Sequence, residues 1–263
     1  MGLTISHANC RTSQSGNVLF LVAAASLAAL PLVARPPILD APATNALQVV
    51  AEQYAPVSNV TCTVRREVGD GKGGKLEVMS RVVWARGDRM NVQVVKPSPR
   101  RIVIDGETVR IKGPNDESPA IYQVTNQTAT QFANLRSVPG GPEELLAPLA
   151  TLLAVDRPPR PPFARTISFS DPQKPSEEIA TVSFDELGRV ARLDFAAADG
   201  AAAGRSSVTF RAPFEALPGV WLFRRTETEA TVGGRTLRMV SRFDKFEVNG
   251  DLPAAIFDPK SFF

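Results

Sequence analysis

The segment from Trp84 to Lys112 constrains the fold of this chain more than any other segment. Within it, residues 90 to 94 alternate between apolar and polar side chains, which is the period of a strand with one buried face. The pair Asp105-Gly106 lies between two such runs and predicts a two-residue β-hairpin. No side chain of the segment has a catalytic pattern. The segment therefore indicates a sheet that binds rather than reacts.

Alternating apolar runs recur along the chain and are separated by Gly and Pro clusters, which predicts a series of short strands. In the last run, strict alternation would place Phe243 and Phe246 on opposite faces of the strand. A β-bulge near Asp244 would bring both onto the same face. The predicted strands are Val60–Val68, Leu76–Trp84, Met90–Val95, Arg101–Ile104, Val109–Lys112, Ala120–Val124, Thr166–Ser170, Ile179–Phe184, Val190–Phe195, Ser207–Arg211, Val220–Val232 and Thr236–Val248.

Three segments have helical spacing. The first runs from Leu47 to Tyr54, with Thr44 or Asn45 as its N-cap. A weak helix is predicted over Asn126–Leu135, and a stronger, Leu-rich one over Pro142–Val155, which Pro148 should kink or restart. The strands form two meanders separated by these helices, without a βαβ rhythm. We predict a mainly β fold with a few helices, in which one curved antiparallel sheet carries the helices on one side.

The apolar run from Val18 to Val33 has the length of a secretory signal and is short for a transmembrane helix. Cleavage is expected after Ala28 or Ala34, and we take residues 1–34 as the signal peptide. The alternative is an uncleaved membrane anchor. Residues 35–263 are then expected to form one domain outside the cytoplasm, in the periplasm.

Removal of the leader also removes His7, the only histidine, and Cys10. The remaining chain has no imidazole and one thiol, Cys62, so it lacks the groups for a Ser-His-Asp triad, an imidazole zinc site or an internal disulfide. Cys62 alternates with Val60 and Val64 and is expected to be a buried thiol. We expect no cofactor, no metal and no catalytic residue.

The basic charge of the chain is concentrated in one part. Arg65 to Lys112 contains 12 Lys or Arg and 6 Asp or Glu, a balance of +6, whereas the whole chain has a net charge of +3. A solvated sheet face is one interpretation. The other is a patch that meets an acidic partner or, peripherally, an anionic membrane. Nucleic acid is not expected, because aromatic side chains do not accompany the charges.

Four stretches resemble motifs of the LolA/LolB-like periplasmic lipoprotein carriers, the outer-membrane lipoprotein-sorting family. They are the helix Leu47–Tyr54, the strand start Arg86–Val92, the hairpin Ile104–Val109, and the ending that runs from Gly219–Leu222 through Asn249–Pro253 to Phe257–Pro259. The resemblance covers nearly the whole mature chain. It implies an unclosed β-barrel, lidded by helices, whose apolar face holds acyl chains.

On that reading, the inward positions of the strands line an apolar cavity and the Leu-rich helix closes it. The expected lining residues are Val82, Trp84, Met90, Val92, Val94, Ile102 and Ile104, and the expected lid residues are Leu145, Leu149 and Leu152.

Three functions follow from these features. The first is a non-enzymatic carrier or binder of a lipid, an acylated protein or a similar amphiphile. The second is a cell-envelope sensor module that docks a protein partner. The third is a hydrolase that uses the acidic pairs Glu143-Glu144 or Glu177-Glu178, although no oxyanion or phosphate-binding loop accompanies them.

We predict that the mature protein lacks about the first 34 residues, because the apolar run is too short to span a bilayer and is followed by prolines. The intact mass of the secreted protein measures this. A membrane-embedded protein whose mass includes Met1 would show an anchor instead.

Overall fold

The computed structural model describes residues 37–69, 74–123, 138–196, 205–232 and 235–258. The predicted signal peptide and the predicted helix Asn126–Leu135 lie outside these residues. The helices are α1 (Pro37–Asp40), α2 (Ala46–Tyr54) and α3 (Glu143–Leu146), with 3-10 helices at Ala43–Asn45, Ala147–Thr151 and Ala254–Phe257. The strands are β1 (Asn59–Gly69), β2 (Lys75–Ala85), β3 (Arg89–Lys96), β4 (Arg100–Asp105), β5 (Thr108–Lys112), β6 (Ala120–Gln123), β7 (Leu153–Arg157), β8 (Arg165–Asp171), β9 (Lys174–Phe184), β10 (Val190–Phe195), β11 (Arg205–Leu217), β12 (Val220–Val232) and β13 (Arg235–Val248).

All thirteen strands belong to one sheet, in the order β6-β5-β4-β3-β2-β1-β13-β12-β11-β10-β9-β8-β7. Every pairing is antiparallel. Strands β6 and β7 are the two edges and do not pair with each other, so the described strands form an open sheet. The predicted fold class, a mainly β protein built on an unclosed antiparallel sheet, is confirmed.

The sheet wraps around helix α2. Strands β2 and β8 lie seven positions apart, which would separate them by about 34 Å in a flat sheet. Helix α2 has nine residues and a length of about 14 Å. Nevertheless, its C-terminal end bonds to Arg86, which follows β2, and its N-terminal half shares a cleft with Phe169 of β8. The sheet must therefore curve to bring both strands to one short helix.

The inner face of the sheet holds the main hydrophobic core. Val60 and Cys62 of β1 are buried there beside Ile38 of α1 and Val50 and Tyr54 of α2, in one continuous cluster. Cys62 is only 1% exposed, and burial raises the pKa of its thiol to about 12. The expected buried thiol is thus confirmed.

The outer face is covered locally by the C-terminal 3-10 helix. Phe257 packs with Val83 and Ala85. The Ile256 carbonyl accepts hydrogen bonds from Asn91 Nδ2 at 2.5 Å and from Arg101 Nη2 at 3.1 Å. Asn91, which the alternation places on the polar face, is consequently buried.

The predicted bulge near Asp244 is confirmed. Thr61 pairs with Glu247, but Thr63 pairs with Asp244, so two residues of β13 lie opposite one residue of β1. Lys245, in the bulge, has a positive φ of 55°. This extra residue places both Phe243 and Phe246 against the core.

The β4–β5 hairpin forms as expected, but with a different pair of turn residues. Asp105 pairs with Thr108, so the two-residue loop is Gly106-Glu107 instead of Asp105-Gly106. Gly106 has a φ of 57°. A glycine with positive φ at the first loop position is typical of the turns whose twist matches that of a hairpin.

The predicted helix Pro142–Val155 is wrong beyond its first turn. Helix α3 ends at Leu146, a 3-10 helix continues to Thr151, and residues from Leu153 onwards form β7, a strand that the sequence did not predict. Pro148 lacks an amide hydrogen and its ring crowds the preceding turn, so the α-helical pattern does not continue through it. Pairing with β8 then makes the following residues extended. Asn45, one of the two predicted N-cap residues, occupies the N-cap position of α2, but its side chain makes no capping hydrogen bond.

Asn249 joins the end of β13 to the start of β1. It has a φ of 56°, which Asn tolerates better than most residues. Its Oδ1 accepts hydrogen bonds from the Ser58 amide at 2.7 Å and the Ser58 hydroxyl at 2.9 Å, and its Nδ2 donates to the Pro56 carbonyl at 3.0 Å. The side chain therefore fixes the connection between α2 and β1.

We predict that Asn249→Ala lowers the free energy of unfolding by about 2–4 kcal/mol, through lost hydrogen bonds and a strained backbone. Asn249→Gly removes the same hydrogen bonds without the strain, and should lose less. Urea denaturation at constant m-value measures both losses. Equal stability of both variants and the wild type would contradict this role.

Candidate functional site

A cleft of about 440 Å³, open to solvent, lies between α2 and the segment formed by α3 and its following 3-10 helix. Its floor includes Ala154 of β7 and Phe169 of β8. Most of its walls are aliphatic, and three polar side chains, Thr44, Gln48 and Glu143, join them. The remaining lining residues are Leu47, Val50, Ala51, Leu146, Ala147, Leu149, Ala150 and Leu152.

Helix α2 is held in place at its C-terminal end. The Tyr54 hydroxyl donates a short hydrogen bond to the Trp221 carbonyl of β12. The Arg86 guanidinium donates to the Tyr54 carbonyl at 2.8 Å and to the Val57 carbonyl at 3.1 Å. The Val57 amide also donates to the Tyr54 carbonyl at 3.0 Å, so Arg86 adds a second hydrogen bond at the helix end and ties it to the end of β2. One wall of the cleft is thus fixed to the sheet.

The opposite wall is fixed through Gly140, which precedes α3. The Phe223 amide of β12 donates to the Gly140 carbonyl at 2.9 Å. Gly140 has a φ of 75°, and a Cβ at this position would lie 2.6 Å from the Phe223 carbonyl oxygen. Only glycine fits such a close approach. This contact positions Leu146 and Leu149, which are buried at the bottom of the cleft.

Glu143 is the acidic group of the cleft. It is half-buried, and burial raises the pKa of its carboxyl group, while the nearby Arg86 opposes that rise. Burial likewise raises the pKa of Tyr54, with a smaller contribution from Glu143. The neutral form of Glu143 is therefore favoured more than that of an exposed glutamate, which suits a mostly apolar cleft.

All seven predicted lining residues are buried on the inner face of the sheet. The least buried, Ile102, is 9% exposed, and all seven belong to the main core cluster with α2. None of them lines the cleft. The structure brings them together as one surface, packed against the other described residues.

The predicted lid residues divide into two groups. Leu149 and Leu152 line the cleft, whereas Leu145 packs against the core outside it. The sequence did not single out Ala154 or Phe169, because β7 was predicted as helix. The helical spacing of Leu47 and Val50 predicts that they share one face of α2. Nothing in the sequence predicts that this face lies opposite Leu149.

A smaller cavity of about 200 Å³ lies at the other end of α2. It is bordered by Gln53, Tyr54 and Trp221 and by the β9–β10 turn. The Arg189 guanidinium lies 4.7 Å from the centroid of the Trp221 ring and also pairs with Asp185 at 2.7 Å. Its charged group is therefore already engaged.

Several basic residues of the Arg65–Lys112 segment have partners within the protein. Arg65 pairs with Glu77 at 2.9 Å, and Arg86 and Arg101 donate to backbone carbonyls. Arg89 lies 5.2 Å from the Phe257 ring centroid. Much of the local positive charge therefore contributes to internal contacts.

Other reactive groups do not assemble in the described ranges. Glu177 pairs with Lys174 at 3.2 Å on an exposed hairpin, and Glu178 lies 3.8 Å from Arg157. Within the described residues, no three His, Cys, Asp or Glu side chains are grouped as metal ligands. None of the described helices has the length and apolar character needed to cross a membrane.

No protein-family model matches the chain, and no curated protein matches its sequence. Among solved structures, the chain is similar to a LolA superfamily protein from Nitrosomonas europaea, with 12% identity and a TM-score of 0.48, over 82% of this chain and 97% of that chain. It is also similar to a DUF1329 family protein from Desulfovibrio piger, with 10% identity and a TM-score of 0.48, over 84% of this chain and 98% of that chain.

A third similar structure is a domain from Vibrio parahaemolyticus assigned to outer membrane lipoprotein sorting. It shares 9% identity with a TM-score of 0.46, over 81% of this chain and 96% of that chain. All three of these structures share 12% identity or less with this chain.

Proposed function

We propose that this chain is a non-enzymatic carrier or binder of a lipid, an acylated protein or a similar amphiphile, acting in the periplasm after removal of residues 1–34. The cleft between α2 and the Leu149 segment is the proposed acyl site. The inner-face residues from Val82 to Ile104 are its proposed extension when the Leu-rich segment moves as a lid.

The observation that carries the proposal is the cleft itself. Its volume of about 440 Å³ lies in the range of small-molecule sites, about 300–1,000 Å³. Leu47, Leu149 and Phe169 supply apolar side chains to its walls, and Thr44, Gln48 and Glu143 supply polar ones. The cleft could therefore hold an alkyl chain against its aliphatic side chains and a polar group beside the others.

The energy available from such a site is sufficient for carriage. Each buried methylene contributes about 0.8 kcal/mol, so about ten of them would contribute about 8 kcal/mol before the cost of ordering the ligand. That value corresponds to micromolar affinity at most, and the cost of ordering the ligand weakens it. A carrier needs no more, because its ligand must also be released.

The second candidate is a sensor module that docks an acidic envelope protein. Val95, at the end of β3, is 46% exposed, and the neighbouring Lys96 and Arg100 are exposed as well. This surface is small compared with a stable interface. Binding of a purified acidic partner that is unaffected by closing the cleft would support this candidate.

We predict that Ala51→Trp weakens binding of a fluorescent fatty acid at least about tenfold, because the indole would fill part of the cleft. Ala51 lines the cleft and is exposed, so the change does not disturb the buried core. Fluorescence titration of the full chain measures the affinity.

The matched control is Ala55→Trp. Ala55 follows α2, is exposed and does not line the cleft. This variant should bind like the wild type. Equal affinity of all three proteins would place the acyl site elsewhere, and absence of binding by the wild type would refute the carrier.

We predict that Glu143→Gln keeps acyl binding and is more stable than the wild type at neutral pH. Burial raises the pKa of Glu143 in the folded chain. The contribution of this carboxyl group to the free energy of unfolding is therefore lost as pH rises from the unfolded-state pKa through the folded-state pKa. The stability advantage of the glutamine variant should therefore vanish at acidic pH. Thermal melts at several pH values measure this difference. If the wild type showed a hydrolytic activity that this variant lost, the hydrolase function would be favoured instead.

A further inference from the structure

Arg66 is a charged residue on the apolar face of the sheet. In β1, Val60, Cys62 and Val64 point into the core, and Arg66 continues the same alternation. Its neighbours across the strands are Val78 of β2 and Ser241 of β13. The guanidinium thus shares the inner face with the core cluster.

Its polar contacts are few. Arg66 Nε donates to the Ser241 hydroxyl at 3.3 Å. Within the described residues, this is its one hydrogen bond, and no carboxylate forms an ion pair with it. Burial lowers the pKa of Arg66, and no acidic group contributes in the opposite direction. In contrast, the equally inward Arg165 pairs with Asp156 at 2.8 Å.

The hydroxyl that contacts the guanidinium belongs to Ser241, and further hydroxyl side chains lie nearby in the strand register. Ser241 is 2% exposed and pairs with Thr226 of β12, and Ser80, which is also buried, lies one inward position along β2 from Val78. Ser80 in turn pairs with Val94, one of the residues expected to line the ligand surface. The site therefore has a cation, neutral hydrogen-bonding groups and an apolar border.

The guanidinium is only partly buried, and its terminal nitrogens are not among the buried atoms that lack a partner, so an anion can reach them. Arginine binds carboxylate and phosphate through two parallel N–H groups, and the terminal nitrogens of Arg66 have this geometry available. An amphiphile supplies both an oxyanion and an alkyl chain that suits the apolar border.

We propose that Arg66 binds the acid group of an anionic amphiphile, a carboxylate or a phosphate, on the inner face of the sheet. This inference rests on the proposed carrier function and specifies its ligand class. Neutral amphiphiles of the same chain length would bind without this contact and therefore more weakly.

The test compares a fluorescent fatty acid with its methyl ester on the full chain. The wild type should bind the acid at least about tenfold more tightly than the ester, as expected for one charge-assisted contact. Arg66→Met should bind both probes with the affinity that the wild type has for the ester. The matched control is Arg65→Met, since Arg65 lies on the opposite, exposed face and should leave the preference unchanged.

Three outcomes would overturn the inference. Arg66→Met could keep the preference for the acid, or Arg65→Met could lose that preference equally. In the third outcome, inorganic phosphate binds through Arg66 while the wild type binds the acid and the ester with equal affinity. That result would indicate a site for free anions. Failure of the wild type to bind either probe would instead refute the carrier function. Arg66→Met should melt at or above the wild-type temperature, because it replaces a partly buried charge on the inner face with an apolar side chain.

Discussion

The packing of helix α2 inside the curved sheet is the contact on which the remaining structure depends. Nine residues of helix connect strands that a flat sheet would hold far apart. The Tyr54 hydroxyl and the Arg86 guanidinium lock the end of the helix to β12 and to the β2–β3 turn. Both contacts use backbone carbonyls as acceptors, so they hold the helix end without a charged partner. The inner face is thereby buried without closing the sheet.

The cleft follows from that arrangement together with the break at Pro148. A continuous helix could have lain flat against α2, but the chain changes to a 3-10 helix and then to strand β7. The shorter segment leaves space between Leu47 and Leu149. Most of its lining side chains are aliphatic, and burial raises the pKa of Glu143, the acidic group of the cleft. The geometry thus supports binding by shape and hydrophobic burial.

The charges of the sheet have two different environments. On the outer face, Arg65 pairs with Glu77 and Arg242 pairs with Glu67, so neighbouring strands carry complementary charges. On the inner face, Arg66 donates to the Ser241 hydroxyl and has no carboxylate partner among the described residues. The same strand therefore carries an ion-paired arginine and one without a counter-ion in the described ranges, at successive positions.

The sequence by itself determined the strands and their inward faces, because side-chain alternation is a local property and each strand must bury one face. It also determined the bulge near Asp244, since the parity of Phe243 and Phe246 is visible in the sequence. Only the tertiary structure decided that Leu153 begins a strand, because its pairing with Ser170 overrides helical spacing. The burial of Asn91 and the meeting of Leu47 with Phe169 also required the fold, since both depend on residues distant in sequence. The candidate site was therefore predictable in its apolar character and in Leu149 and Leu152, but not in its location.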